Sequence, residues 1–309
     1  MPNVLFAARK EKWDIYKDVL KAEIAAAGVE AHLARDLPPA SVDYIIYAPN
    51  SDVQDFGPYT RARAVLNLWA GVEDVVMNPT LDIPLARMVD EGLTRGMVEW
   101  VCGHVLRHHL GMDRHITRQD GTWEAVPPPL AGQRPVTILG LGALGQACGQ
   151  ALGGLGFPVT GWSRSKKDIA GIACLHGEDG LQTALSQAQI LILLLPLTPG
   201  TENVLNAQTL AMLPEGAVII NPGRGPLIED EALLAALDRG HIGHATLDVF
   251  REEPLPLAHP YWGHERVTVT PHIASATRPE TAAKVVAENI RRGEAGEPFL
   301  HLVDRDLGY

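Results

Sequence analysis

Pro135-Val136-Thr137-Ile138-Leu139-Gly140-Leu141-Gly142-Ala143-Leu144-Gly145 is the stretch that decides how this chain is read. A short β-branched and apolar run enters G-x-G-x-x-G. Apolar residues at helical spacing follow: Leu144, Ala147/Cys148, Ala151/Leu152 and Leu155. Strand, glycine turn and helix in that order make a dinucleotide-binding fingerprint. Gly140 permits the tight turn, Gly142 lets a pyrophosphate approach a backbone without Cβ, and Gly145 lets the helix pack closely on the strand. The helix N-terminus then offers unpaired N–H groups and a positive dipole end to the phosphates. A bare G-x-G-x-x-G arises easily in a chain with 30 glycines, so the flanking strand and helix carry the argument.

Working outward, 309 residues suffice for one large domain or two of medium size. A hydrophobic content of 46% with 20% charged residues fits an ordinary globular protein. The net charge of −11 argues against a general binder of nucleic acid or anionic membranes. Cys102, Cys148 and Cys174 are far apart and lack C-x-x-C spacing, so neither a disulfide framework nor a structural zinc site is expected. The N-terminal apolar run is too short for a signal peptide, and no run approaches a membrane span; the expected location is the cytoplasm.

The first block reads as strands and helices in alternation, which implies a parallel sheet. Strands are predicted at Val4–Ala7, Val29–Leu33, Tyr44–Tyr47, Ala64–Leu68 and Leu85–Arg87, with an amphipathic helix over Lys12–Ala27 closed by Gly28. In Asn67-Leu68-Trp69-Ala70-Gly71-Val72 a strand ends at a small-residue turn whose N–H groups could face a ligand, although an ordinary turn explains it as well. A helix is predicted over Thr94–Leu110. Its His104 and His108 are four apart, as in zinc sites, but without H-E-x-x-H or a third ligand they and His109 read as surface or interface residues and no metal is expected. Pro127-Pro128-Pro129 break the chain before the dinucleotide fold.

Beyond the fingerprint, strands are predicted at Val159–Trp162, Ile190–Leu195, Ala217–Asn221, Ala245–Val249 and Val267–Thr270. Helices fit Leu181–Ser186, Ala207–Met212, Glu229–Arg239 and Pro279–Arg292. After the second strand of such a fold an acidic residue normally holds the ribose hydroxyls of NAD. Here Ser163-Arg164-Ser165-Lys166-Lys167 stands at that place, and no acidic residue occurs between Gly145 and Asp168. A hydroxyl beside an arginine suits a 2′-phosphate, which a carboxylate would repel. NADP(H) is therefore the expected cofactor, with NAD(H) as the alternative.

Three later segments place polar residues just after predicted strands, the edge where open α/β sheets bind ligands. They are Asn221-Pro222-Gly223-Arg224-Gly225, Asp248-Val249-Phe250-Arg251-Glu252-Glu253-Pro254-Leu255-Pro256, and Thr270-Pro271-His272. Arginine, carboxylate and histidine together suit reduction of a 2-keto acid. Arginine grips the carboxylate and polarises the ketone, histidine donates a proton to the developing alkoxide, and the carboxylate orients the imidazole and favours its charged form.

These segments, together with Pro196-Leu197-Thr198-Pro199-Gly200-Thr201, resemble the signatures of the D-isomer-specific 2-hydroxyacid dehydrogenases over nearly the whole chain. The resemblance implies Arg224 as a catalytic and substrate-binding residue, His272 as acid/base and Glu253 as its partner. It implies that the Ala70 and Gly71 amides receive the substrate carboxylate. Gly140, Gly142, Ala143, Leu144, Gly145, Ser163, Arg164, Ser165, Pro196, Thr201, Pro222 and Asp248 would contact the cofactor, Pro222 and Asp248 near the nicotinamide carboxamide. Departures occur at Leu194-Leu195-Pro196, where many relatives have His-x-Pro, and at Pro222-Gly223, which replaces a small pair.

The implied architecture is α/β: a flavodoxin-like substrate domain of residues 1–97 and 280–309, and a Rossmann-type dinucleotide-binding domain of residues 98–279. A homodimer would form through a segment of about 98–130. The expected activity is NADPH-dependent reduction of a small 2-keto acid of the glyoxylate or hydroxypyruvate kind. Two alternatives stand beside it: an NAD-linked dehydrogenase of a bulkier 2-hydroxy acid, and a dinucleotide-sensing interaction protein like the corepressors that share this fold.

Overall fold

The structure, a computed structural model, describes residues 1–309. The chain forms two compact units, residues 1–93 with 276–309, and residues 94–275. No helix is long and apolar enough to cross a membrane.

The first unit is built on five parallel strands: β1 (Asn3–Ala7), β2 (His32–Ala34), β3 (Tyr44–Tyr47), β4 (Ala64–Asn67) and β5 (Leu85–Ala86). Their order, β2-β1-β3-β4-β5, is that of flavodoxin-like sheets. Side chains alternate between faces, so the register sorts them into two rows. Phe6, Ile46, Leu66 and Ala86 pair in line and pack in the core formed with the helices Lys10–Ala26 and Pro279–Ala295. Leu5, Ile45, Val65 and Leu85 fill the opposite core. Both faces are covered, which is why these strands read as unbroken apolar runs. The strand expected over Val29–Leu33 is shorter and later. Gly28 takes φ +79°, and the Val29 amide bonds back to the Ile24 carbonyl, so the helix cap consumes the first of those residues.

The second unit carries seven parallel strands: β6 (Val136–Leu139), β7 (Val159–Ser163), β8 (Ala173–His176), β9 (Ile190–Leu193), β10 (Ala217–Asn221), β11 (Ile242–Leu247) and β12 (Val267–Val269). Their order is β12-β11-β10-β9-β6-β7-β8. The chain runs outward from β6 to β8 on one side and from β9 to β12 on the other. The order therefore reverses between β6 and β9, the topological switch point at which doubly wound sheets bind dinucleotides. Strand β8 has no counterpart in the sequence reading, because Ala-Cys-Leu-His at a sheet edge presents neither an apolar run nor clean alternation.

Candidate active site

The fingerprint glycines meet the switch point as their chemistry requires. Gly140, with φ +108°, follows β6, and a Cβ there would lie 2.4 Å from the Leu194 carbonyl oxygen beyond β9. A Cβ on Gly145 would fall 1.8 Å from the Gly140 carbonyl oxygen, so only glycine lets the helix Ala143–Gly154 start this close to the strand. Gly142 differs: nothing lies within 4 Å of its missing Cβ. Open space at Gly142, beside the first amides of a helix of twelve residues, fits a pyrophosphate. Ala143 and Leu144 are the first residues of that helix.

At the end of β7, Ser163 is buried and its hydroxyl donates to the Ser165 carbonyl at 2.8 Å, which fixes the loop. Arg164, Ser165, Lys166 and Lys167 are exposed. No carboxylate shares that loop before Asp168. The Thr201 hydroxyl donates to the Pro196 carbonyl at 2.7 Å and accepts from the Thr198 amide at 2.8 Å, closing the turn after β9.

Arg224, Glu253 and His272 come together at the C-terminal edge of β10, β11 and β12. His272 Nδ1 lies 2.7 Å from Glu253 Oε2, and Glu253 Oε1 accepts from the Phe250 amide at 2.9 Å. The hydrogen bond to Glu253 raises the His272 pKa; burial opposes it, and the Glu253 charge adds to the rise. For Glu253, burial favours the neutral acid. The hydrogen bonds from His272 and Phe250, with the charges of His272 and Arg224, outweigh burial and hold the carboxyl below its usual range. Arg224 is close enough to act on both groups. With Nδ1 committed to Glu253, Nε2 is the nitrogen left to exchange a proton with a ligand.

The backbone around this trio is tightly specified. The Asn221 side chain spans the turn after β10: its Nδ2 donates to the Arg224 carbonyl at 2.9 Å and its Oδ1 accepts from the Gly223 amide at 3.1 Å. A Cβ on Gly225 would lie 2.0 Å from the Phe250 carbonyl carbon, so glycine after the arginine allows the two loops to touch. His272 itself has φ +52°, a left-handed conformation unfavourable for a non-glycine residue. Asp248 holds it there. This fully buried carboxylate accepts from the Thr270 hydroxyl at 2.6 Å, the Ile273 amide at 2.9 Å and the Ala274 amide at 2.8 Å. The Asp248 carbonyl also accepts from the His272 amide at 2.8 Å. Neither Asn221 nor Thr270 carries a role that the sequence pattern alone reveals, and the Asp248 carboxylate, implied to lie near the nicotinamide carboxamide, also gathers three protein donors. Pro222, which follows Asn221 at the end of β10, is buried.

In the first unit, Ala70 and Gly71 lie half-buried in the turn after β4. Trp69 beside them is 40% exposed, whereas Tyr47 is a core residue.

Of the three histidines read as surface or interface residues on the helix Glu91–His109, His104 and His108 are half-buried and His109 is buried. His109 is only 6% exposed and packs edge-on against Phe157, ring centroids 4.9 Å apart. The His108 ring packs against that of His244 at a tilt of 46°, centroids 4.9 Å apart, and its Nε2 lies 2.8 Å from the Thr246 hydroxyl. Helical periodicity could not reveal this, since Thr246 and Phe157 come from remote strands and loops. No group of three or more His, Cys, Asp or Glu side chains is placed to hold a metal ion.

A dinucleotide switch point joined to an arginine, a carboxylate and a histidine defines a nicotinamide-dependent oxidoreductase. Residues 101–274 match the family model described as D-isomer specific 2-hydroxyacid dehydrogenase, NAD binding domain. The chain belongs to the D-isomer specific 2-hydroxyacid dehydrogenase family. It is 38% identical over 298 residues to glyoxylate/hydroxypyruvate reductase A of Serratia proteamaculans (strain 568), covering 94% of each chain. It is 37% identical to the protein of the same name from Yersinia enterocolitica, again covering 94% of each. Among solved structures, a D-isomer specific 2-hydroxyacid dehydrogenase from Xanthobacter autotrophicus Py2, in complex with NADPH and MES, superimposes with a TM-score of 0.93 at 39% identity, covering 100% of this chain and 99% of that one. The NADPH-dependent glyoxylate/hydroxypyruvate reductase of Sinorhizobium meliloti, in complex with NADP and sulfate, gives 0.86 at 33% identity with full coverage of both.

Proposed function

We propose that this protein reduces a small 2-keto acid, glyoxylate or hydroxypyruvate, to the 2-hydroxy acid with NADPH. The observation that carries the reading is the His272–Glu253 pair with Arg224 beside it. Relatives over nearly the full chain bear the names of reductases for these two acids. The exposed basic loop at Arg164 and the absence of a carboxylate there support NADPH, as do the cofactors of the similar solved structures.

The bound reduced nicotinamide supplies the hydride that the carbonyl carbon receives. Protonated His272 donates its Nε2 proton to the carbonyl oxygen, so that C=O becomes CH–OH. Glu253 holds Nδ1, fixes the ring and stabilises the charged imidazole before transfer. The Arg224 guanidinium grips the substrate and draws electron density toward the oxygen, stabilising the developing alkoxide. The Ala70 and Gly71 amides receive the carboxylate. Open space at Gly142 admits the pyrophosphate, and Ser163, Arg164 and Ser165 bind the 2′-phosphate.

The protein acts as a homodimer assembled through residues of about 98–130. That stretch exposes Ile116, Trp123 (95%), Val126 and Leu130 (78%), apolar surface that a second copy would cover. Light scattering should report twice the chain mass of 33.4 kDa, and Trp123→Asp with Leu130→Asp should shift it toward the monomer.

Initial rates with NADPH and NADH against glyoxylate, hydroxypyruvate and bulkier 2-keto acids test the main reading. It fails if neither small acid is reduced with NADPH, or if a bulkier acid with NADH is clearly preferred.

A further inference from the structure

Resting on the reading that the turn after β4 receives the substrate carboxylate, we propose that Asn67 is a positioning residue which locks the peptide planes presenting the Ala70 and Gly71 amides. Asn67 ends β4 in a run, Ala-Val-Leu-Asn, whose other members are apolar, and it is 1% exposed. Its Nδ2 lies 3.1 Å from the Trp69 carbonyl oxygen and 2.9 Å from the Gly71 carbonyl oxygen. Both neighbours are acceptors, so the nitrogen must face them and the amide orientation is fixed by chemistry. Its Oδ1 is buried with no hydrogen-bond partner. Asparagine therefore carries a desolvation cost at this position that a leucine would avoid, offset by what its two N–H groups hold.

What they hold follows from the planar trans peptide, in which each C=O points opposite to the next residue's N–H. Turning the Trp69 carbonyl toward Asn67 turns the Ala70 amide away from the core. Turning the Gly71 carbonyl inward fixes the Gly71–Val72 plane, so the Ala70–Gly71 plane is held between two locked ones. The Leu68 carbonyl is also engaged, by the Thr277 hydroxyl at 2.8 Å, and the Trp69 carbonyl by the Met88 amide at 3.0 Å. On the donor side, the amides of Trp69, Ala70 and Gly71 donate to no group of the protein. Carbonyls drawn in and successive amides left without a protein acceptor offer a row of turn donors to an anion. Asn67 does not touch the substrate in this scheme. It removes the freedom of the peptide planes to turn a carbonyl toward the carboxylate.

The test uses Asn67→Leu, alike in branching and without donors, and the smaller Asn67→Ser as a second variant that keeps at most part of the bonding. Oxalate, a small carboxylate without a reducible carbonyl, serves as the binding probe with the NADP+-loaded enzyme. Each charge-assisted contact is typically a factor of about ten to a hundred, so KM for glyoxylate and Kd for oxalate should rise together by about that range. The kcat and the KM for NADPH should stay within about threefold, a split that general damage to the fold would not give. Unchanged oxalate affinity in both variants overturns the role of Asn67. So does an equal loss in NADPH and oxalate binding, or failure of both variants to fold, since Asn67 would then be a residue of the core alone. The underlying reading is checked separately by amide NMR of the wild type. Oxalate should shift the Ala70 and Gly71 resonances; if it shifts neither, the carboxylate is held elsewhere whatever the variants show.

Discussion

His272 Nδ1 stands 2.7 Å from Glu253 Oε2 while His272 itself holds a left-handed backbone conformation. The pair fixes which imidazole nitrogen is available and favours the charged ring. In reduction the proton must be on His272 beforehand, so activity should persist up to a pH set by the raised pKa and fall above it. Glu253→Gln keeps the shape and removes the charge. Its kcat/KM profile should lose activity at lower pH than the wild type, and His272→Ala should cost about two to four orders of magnitude in kcat. Superimposable profiles for wild type and Glu253→Gln would separate Glu253 from the titration.

Gly225→Ala is the backbone counterpart. The new methyl would meet the Phe250–Arg251 peptide, with contacts of 2.0 to 2.5 Å to backbone atoms that cannot rotate away. The loop carrying Glu253 must then move relative to Arg224. We expect kcat/KM to fall by at least about a hundredfold, because misplacing a catalytic group by about 1 Å costs that much. NADPH affinity should change far less. Near-normal turnover would show that the loop spacing is not what sets the rate.

The fingerprint, both sheets and the arginine–glutamate–histidine set were legible in the sequence because each is encoded locally. Apolar runs mark strands covered on both faces, and glycines mark the places where a Cβ would collide. Legibility ended where meaning depends on remote partners. The spacing of His104, His108 and His109 gave a helix but not that His109 meets Phe157, or that His108 meets Thr246 across 138 residues. Asp248 read as a cofactor contact through the family resemblance; only folding shows its carboxylate gathering Thr270, Ile273 and Ala274 around the histidine. Strand β8 lies at the sheet edge, is short and only partly buried, and carries no pattern to read.

Cofactor choice rests on the loop after β7. If Arg164 meets the 2′-phosphate, Arg164→Ala should weaken NADPH much more than NADH in kcat/KM, by roughly ten- to a hundredfold for a lost charge-assisted contact. Adding Ser163→Asp should reverse the preference, since a carboxylate repels the phosphate and accepts from a free ribose. Equal weakening of both cofactors by Arg164→Ala would remove the loop from selection.

The contacting pair His108 and His244 should make the fold sensitive to acid. Burial, aided at His108 by the charges of His244 and Arg107 and at His244 by that of Arg107, favours the neutral rings: the His108 pKa is pushed down to about 3 and that of His244 to about 4. The hydrogen bonds agree. Thr268 Oγ1 accepts from Arg107 Nη2 at 2.9 Å and keeps its own proton to offer His244 Nε2 at 2.9 Å, an arrangement open to a neutral imidazole. The unfolded chain takes up these protons near pH 6.5, the folded one only far below it. Between those values the unfolded state binds more protons, so stability is full above about pH 7 and declines as pH falls. The slope is at most about 1.4 kcal/mol per pH unit for each histidine, and partial solvent contact reduces it. Carboxylates add a similar background at lower pH, so the discriminating measurement is a difference. The fall in Tm from pH 7.5 to pH 5 should be clearly smaller in His108→Gln, which cannot titrate but can still meet the Thr246 hydroxyl. If wild type and His108→Gln lose the same amount over that interval, the neutral state of His108 does not contribute to the acid sensitivity of the fold.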